Sequence, residues 1–217
     1  MTSPIAPLPT ASGSRTATTA AALVFFTVFL ITVIIATAVT FILPESYAST
    51  ARVKVEQNLN QSTNATAYDP YFIQTEVEVI QSQVVLEPVI AKLNLNFEWG
   101  KKYFNGETLK TAEALQILKG RLSLDTIRGT KLLAVTVYSD ERNEAARLAN
   151  AVAEAYQQYS AEKNHPSVAV QITDRAEPGK FPVRPNKPVN IALGAVAGII
   201  LGTVAAAIVG WFATRKR

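Results

Sequence analysis

The chain has 217 residues, a formal net charge of +4, one His and no Cys, with 48% hydrophobic and only 18% charged residues. Without Cys there is no disulfide framework, thiol nucleophile or thiolate metal site. The small, scattered positive excess gives no nucleic-acid footprint, and the low charged share points toward a membrane protein carrying one ordinary domain.

Residues 1–19 are rich in Pro, Ser, Thr and Ala, with Arg15 the lone charge. They read as a disordered cytoplasmic tail, because they have little to bury. Residues 20–43 are uncharged and rich in Phe, Val and Ile. That length matches the ~20 residues needed to cross a hydrocarbon core, so this is transmembrane helix 1. Thr27, Thr32, Thr37 and Thr40 interrupt it. A helix accommodates them because a Thr hydroxyl can bond the carbonyl one turn back. Pro44 supplies the stop. A signal peptide is the rival reading, with a weak cleavage site near Ala48, but its apolar run would be only about 7–15 residues.

Residues 44–177 are then expected to form one α+β domain outside the cytoplasm. Residues 51–57 alternate, with Val53 and Val55 opposite Arg52, Lys54 and Glu56, as in a strand with one buried face. Residues 58–67 are polar and read as a loop. Helical spacing over 71–84 sets Phe72, Val77, Ile80 and Val84 on one side, with Asp69 as N-cap and Pro70 at the first position. A second helix is expected over 85–95, with Pro88 in its first turn and Leu86, Val89, Ile90 and Leu93 inward. A third covers 109–119 and closes at Gly120. Strands follow at 122–125 and 132–138 around an Arg128-Gly129 turn. The longest soluble helix, 140–163, carries Ala145, Leu148, Ala149, Val152, Tyr156 and Tyr159 as an apolar stripe. Ser139 or Asp140 caps it, and Glu141 suits its positive end. A last strand covers 168–173. Strands and helices do not alternate regularly, so the expectation is a small mixed sheet with several helices.

Residues 178–188 hold Pro178, Pro182, Pro185, Lys187 and Pro188 and read as a stiff, extended stalk. Residues 189–212 are the second transmembrane helix, ending in Trp211 and Phe212 at the interface. Within it Gly194, Gly198, Gly202, Ala206 and Gly210 recur every fourth residue. They form a smooth strip for close helix packing, either on the first span or between subunits. The tail, 213–217, contains Arg215, Lys216 and Arg217, a cytoplasmic anchor that places both termini in the cytoplasm. Arg52, Lys54, Lys180, Arg184 and Lys187 oppose this, but long segments translocate largely regardless of charge.

The patterns of catalysis are missing from the sequence. His165 stands alone at a helix end, and there is no phosphate loop, nucleophile elbow or zinc-binding His pair. Glu76 and Glu78 fall on different helix faces. Asn60-Gln61-Ser62 and Asn64-Ala65-Thr66 match the glycosylation pattern as chance matches in a polar loop. Trp99 with Lys101 and Lys102 is read as part of a solvated loop in preference to a basic-aromatic patch for sugar or lipid phosphate. No catalytic, cofactor-binding or metal-binding residue is expected.

Several ordered segments resemble the Wzz-type chain-length determinants, or polysaccharide co-polymerases, in their short form without a kinase domain. The Pro44-Glu45-Ser46-Tyr47-Ala48-Ser49-Thr50-Ala51 exit and Arg52-Val53-Lys54-Val55 resemble the family's post-membrane segment. Thr75-Glu76-Val77-Glu78-Val79-Ile80-Gln81-Ser82 and Val89-Ile90-Ala91-Lys92-Leu93 resemble its first helices. Gly129-Thr130-Lys131-Leu132-Leu133 and Ala145-Ala146-Arg147-Leu148-Ala149-Asn150 are similar to its strand-helix core. Pro178, Pro182, Pro185, Asn186, Lys187, Gly194 and Gly198 resemble its Pro-rich entry to the second span. The sequence departs in the order Arg184-Pro185-Asn186-Lys187, where the family often has Ser before a Pro-Lys pair, and in its short central helix.

The resemblance implies a homo-oligomeric ring in the bacterial inner membrane, embedded in lipid, with its main domain periplasmic or extracellular. Such a ring works beside a polymerase or exporter and sets the length of lipopolysaccharide or exopolysaccharide without catalysis. An adaptor that activates a separate cytoplasmic tyrosine kinase is the alternative. A membrane-anchored glycan enzyme is a third reading, and it lacks a clear paired-carboxylate site.

Overall fold

A computed structural model describes residues 12–57, 71–162 and 168–215. Among these it holds seven helices and four strands. In chain order they are α1 (Ser12–Ile42), β1 (Tyr47–Gln57), α2 (Phe72–Gln81), α3 (Gln83–Lys92), α4 (Leu95–Tyr103), α5 (Thr111–Arg121), β2 (Leu122–Thr126), β3 (Leu132–Ser139), α6 (Arg142–Glu162), β4 (Val168–Asp174) and α7 (Lys187–Arg215). Helices α1 and α7 form one compact unit, and Glu45–Val183 forms the other.

In the helical unit, α1 over Thr18–Ile42 and α7 over Lys187–Ala213 are strongly apolar. Both are long and apolar enough to cross a bilayer. Thr27, Thr32 and Thr40 donate to the carbonyls of Leu23, Val28 and Ala36 at 2.7–2.8 Å. Their hydroxyls therefore need no other partner in an apolar medium. Helix α1 starts at Ser12, upstream of the expected boundary at 20. Extending an established helix adds one hydrogen bond per residue fixed, and no Pro interrupts the Ser- and Thr-rich lead-in. Helix α7 starts at Lys187 because Asn186 caps it: its Oδ1 accepts from the Val189 N–H at 3.3 Å. Lys187 and Pro188 therefore belong to the first helical turn, where Pro is tolerated, rather than to an extended stalk.

The Glu45–Val183 unit is built on a four-stranded sheet in the order β2-β3-β1-β4. Every ladder is antiparallel, which corrects the expected mixed sheet. Strands β3 and β4 point the same way and are joined by α6, but β1 lies between them, so no parallel pair forms. Ala51 is paired with Val135, and Val53 with Leu133 on one side and Ile172 on the other. The alternate side chains Ala51, Val53, Val55, Leu133, Val135 and Val137 are fully buried on one face. Each of the larger ones stabilises the fold by about 1.5–3 kcal/mol. Helix α6 covers that face with Leu148, Ala149, Val152 and Tyr156 and carries α3 on its other side. The opposite sheet face is polar, with a Thr50–Thr136 hydrogen bond at 2.8 Å and an Arg52–Asp174 pair at 3.1 Å.

Helix boundaries depart from expectation in four places. The 71–84 helix breaks at Ser82, which is extended and donates its hydroxyl to the Val79 carbonyl at 2.6 Å. The break resets the helical phase, so Val84 is 55% exposed instead of joining Phe72, Val77 and Ile80. Pro88 lies inside α3, not in its first turn. It is exposed, and so is Val84, whose carbonyl it leaves unbonded, so water can take the place of the lost bond. Helix α4 had no counterpart in the sequence reading. Its Gly100 is required, because a Cβ there would run into the Glu107 carbonyl. Helix α5 passes through Gly120 and stops at Arg121, where Leu122 turns extended and opens β2.

Candidate functional site

The α4 and α5 helices meet the β3–α6 junction in a polar cluster. Trp99 is fully buried, and its indole N–H donates to Glu144 Oε1 at 2.6 Å. The Ser139 hydroxyl, at the end of β3, donates to Glu144 Oε2 at 2.5 Å. The Lys102 ammonium reaches Asp140 at 3.0 Å, Glu141 at 2.7 Å and Glu144 at 3.3 Å. Tyr103 donates its hydroxyl to Asp140 at 2.7 Å. The Arg121 guanidinium lies 4.9 Å from the Trp99 ring centre and 5.0 Å from that of Tyr103, with Nη1 3.7 Å from Glu144.

Electrostatics in the cluster favour the charged forms. Burial pushes the Glu144 carboxyl up, but the Ser139 and Trp99 hydrogen bonds and the Lys102 and Arg121 charges outweigh it and hold it below its usual range. Asp140 resists the same burial through Tyr103 and Lys102 and is lowered to about 2. Lys102 is raised, its burial outweighed by Glu141 and Asp140. Glu144 and Asp140 stay ionised near neutrality, the opposite of what a general acid needs. The arrangement can pin α4 and α5 to the start of α6. A second, half-buried polar contact ties α2 to α6: the Tyr156 hydroxyl donates to Glu76 Oε2 at 2.6 Å.

The sequence assigned no role to Glu144, Tyr103 or Arg121. The usable signal was the pairing of Trp99 with Lys102, which share α4. Neither the solvated loop nor the basic-aromatic patch forms there. Trp99 faces the core, Lys102 is engaged by three carboxylates, and Lys101 is exposed.

Three of the five small residues of α7 meet α1. A Cβ at Gly194 would collide with that of Ala36. One at Gly198 would lie 3.0 Å from the Phe29 ring and 3.3 Å from its carbonyl. One at Gly202 would lie 2.9 Å from the Phe25 ring and 3.1 Å from its carbonyl. The two helices are antiparallel, and the Phe25 and Phe29 rings stack at 6.2 Å. Gly210 has open space around it, and Ala206 is half-buried.

Pro178 and Pro182 belong to the Glu45–Val183 unit, whereas Pro185, in a cis bond to Arg184, and Pro188 belong to the helical unit. Lys187 places its ammonium 5.1 Å from the Phe41 ring, and Arg215 lies 4.7 Å from the Trp211 ring. Lys216, Arg217, His165, Asp69, Pro70 and the 58–67 loop with its two Asn motifs lie outside the described residues.

The similarity to a known family falls in the N-terminal third of the chain. Residues 19–93 match the Wzz family, chain length determinant protein. The resemblance read from the Pro44–Ala51 exit and the first helices is thus borne out over this Wzz segment. No curated protein matches the chain. The Wzz segment covers most of α1 and all of β1, α2 and α3, while the polar cluster and the glycine strip lie beyond it.

Proposed function

We propose that the protein is an oligomeric regulator of polysaccharide chain length, a co-polymerase that acts by assembly with a polymerase or exporter and not by catalysis. The Wzz match across the first candidate span and into the adjoining domain carries this reading. Two helices able to cross a bilayer support a two-pass inner-membrane protein with residues 44–177 outside the cytoplasm and both termini inside. The Gly194, Gly198 and Gly202 seam lets α1 and α7 approach closely, and such a paired unit is what a ring would repeat.

The test is the size distribution of surface or secreted polysaccharide with and without the gene. A shift in modal length with unchanged sugar units supports the regulator. Complete loss of polymer would point to an essential export component or a kinase-activating adaptor, and an unchanged distribution would sink the proposal. Gly194→Leu with Gly198→Leu should disturb the complex or the product length, since each side chain would meet α1.

A further inference from the structure

Phe181 is 79% exposed, more than any other large hydrophobic described in Glu45–Val183. Val183, 46% exposed, follows it, and the exposed Lys180 precedes it. This segment is held in place on its own unit. The Asn150 side chain clasps the Ala176 backbone with two bonds, donating to its carbonyl at 2.9 Å and accepting from its N–H at 2.8 Å. Gly179 lies so close to β1 that a Cβ would stand 2.7 Å from the Ala48 carbonyl. The Val183 N–H donates to the Ser46 carbonyl at 2.8 Å. Phe181 sits between the last two of these anchors.

Its covalent neighbours limit where it can be. The chain from Phe181 to Lys187, the first residue of the α7 candidate span, extends at most roughly 20 Å. Ser46, bonded to Val183, is tied to Ile42 at the end of α1 by at most roughly 15 Å of chain. A pinned, outward aromatic with an adjacent Lys, tethered this closely to both candidate spans, fits the headgroup layer. There the ring can reach the acyl boundary while the ammonium stays with anionic phosphate.

We propose that the Lys180–Val183 segment is a membrane-interface anchor whose occupant is the bilayer surface, with Phe181 inserted at the headgroup–acyl boundary. The inference rests on the two-span reading but does not depend on the polysaccharide role.

The absence of Cys makes the test clean. Full-length Phe181→Cys and, separately, Val183→Cys would carry a nitroxide label and be reconstituted in phosphatidylcholine–phosphatidylglycerol vesicles. Collision rates with oxygen and with a water-soluble nickel chelate then report depth. Leu201→Cys on α7 serves as the deep reference and Arg128→Cys in the β2–β3 turn as the aqueous one. The expected result is oxygen collision exceeding nickel collision at 181, at a shallow depth of roughly 5–10 Å, with 201 deeper and 128 aqueous. An aqueous signature at both 181 and 183, with 201 still deep, overturns the anchor and leaves the two spans standing. Low collision with both reagents at 181 also overturns it, because protein rather than lipid would then cover the ring. An aqueous signal at 201 removes the span reading and the anchor with it.

Discussion

Replacing Glu144 by Ala removes the acceptor at the centre of the polar cluster. Its side chain is 7% exposed, and the Trp99 indole that it receives is fully buried, so water cannot take its place. The Trp99 N–H loses its acceptor, at about 1–3 kcal/mol, and the Ser139 hydroxyl is left with the longer Asp140 contact at 3.1 Å. Lys102 and Arg121 lose a buried counter-charge as well. The combined cost is about 3–5 kcal/mol, the usual range for breaking a buried charged contact. Against a domain stability of about 5–15 kcal/mol this is a large share. Glu144→Gln keeps an oxygen for Trp99, and the Ser139 hydroxyl can rotate to accept, so its cost should be about 1–2 kcal/mol. Urea unfolding of the full chain in detergent micelles, followed by Trp fluorescence, reads the difference. With a slope of about 2 kcal/mol per molar, the Ala variant should lower the midpoint by about 2 M at unchanged slope. If Ala and Gln shift the midpoint equally, the hydrogen-bond account of the cluster is wrong.

The pH dependence has a definite sign. Glu144 and Asp140 are both held below their unfolded values, so their contribution is full above about pH 4.5 and is lost as pH falls toward 2. The unfolding midpoint should be flat near neutrality and decline through that window, less steeply in Glu144→Gln. Tyr156→Phe leaves the Glu76 carboxylate without its buried donor and should cost about 1.5–3 kcal/mol, seen as a lower thermal midpoint. Gly100→Ala drives a methyl into the Glu107 carbonyl, a backbone atom that cannot rotate away. It should destabilise by about 1–3 kcal/mol, with faster proteolysis in the 95–110 region as its sign.

Elements with one buried face were legible in the sequence, because burial itself writes the pattern. Val53 and Val55 in β1 and Leu148, Val152 and Tyr156 in α6 are inward, as their spacing indicated, and the expected strand over 132–138 buries Leu133, Val135 and Val137. Strand order was not legible, since the insertion of β1 between β3 and β4 is a pairing between distant segments. The break at Ser82 was hidden because neither Gly nor Pro marks it; the Ser hydroxyl takes a backbone carbonyl instead. Helix α4 was hidden because only Leu95, Trp99 and Gly100 of it are buried, too few to show a period. The glycine spacing was readable, but which helix it meets depends on the bulk of Phe25 and Phe29 across the seam. No sequence pattern marks Glu144, because only the fold brings Trp99 to it.

These contacts explain how a thin helical layer holds a fixed register on the sheet. Helix α6 has one face on β1, β3 and β4, and its other side carries polar contacts to α2, α3 and α4. The Arg147–Glu98 and Lys92–Glu154 pairs are largely exposed, so solvent screens them and they contribute little. The two more shielded contacts lie apart along the same helix: Glu144 holds Trp99 near its start, and Tyr156 holds Glu76 toward its end. A single attachment would let the layer pivot on the apolar surface, which is non-directional. Two directional attachments separated along one helix prevent that rotation. The apolar core therefore sets how strongly the helices adhere, and the hydrogen bonds to Glu144 and Glu76 set where they sit.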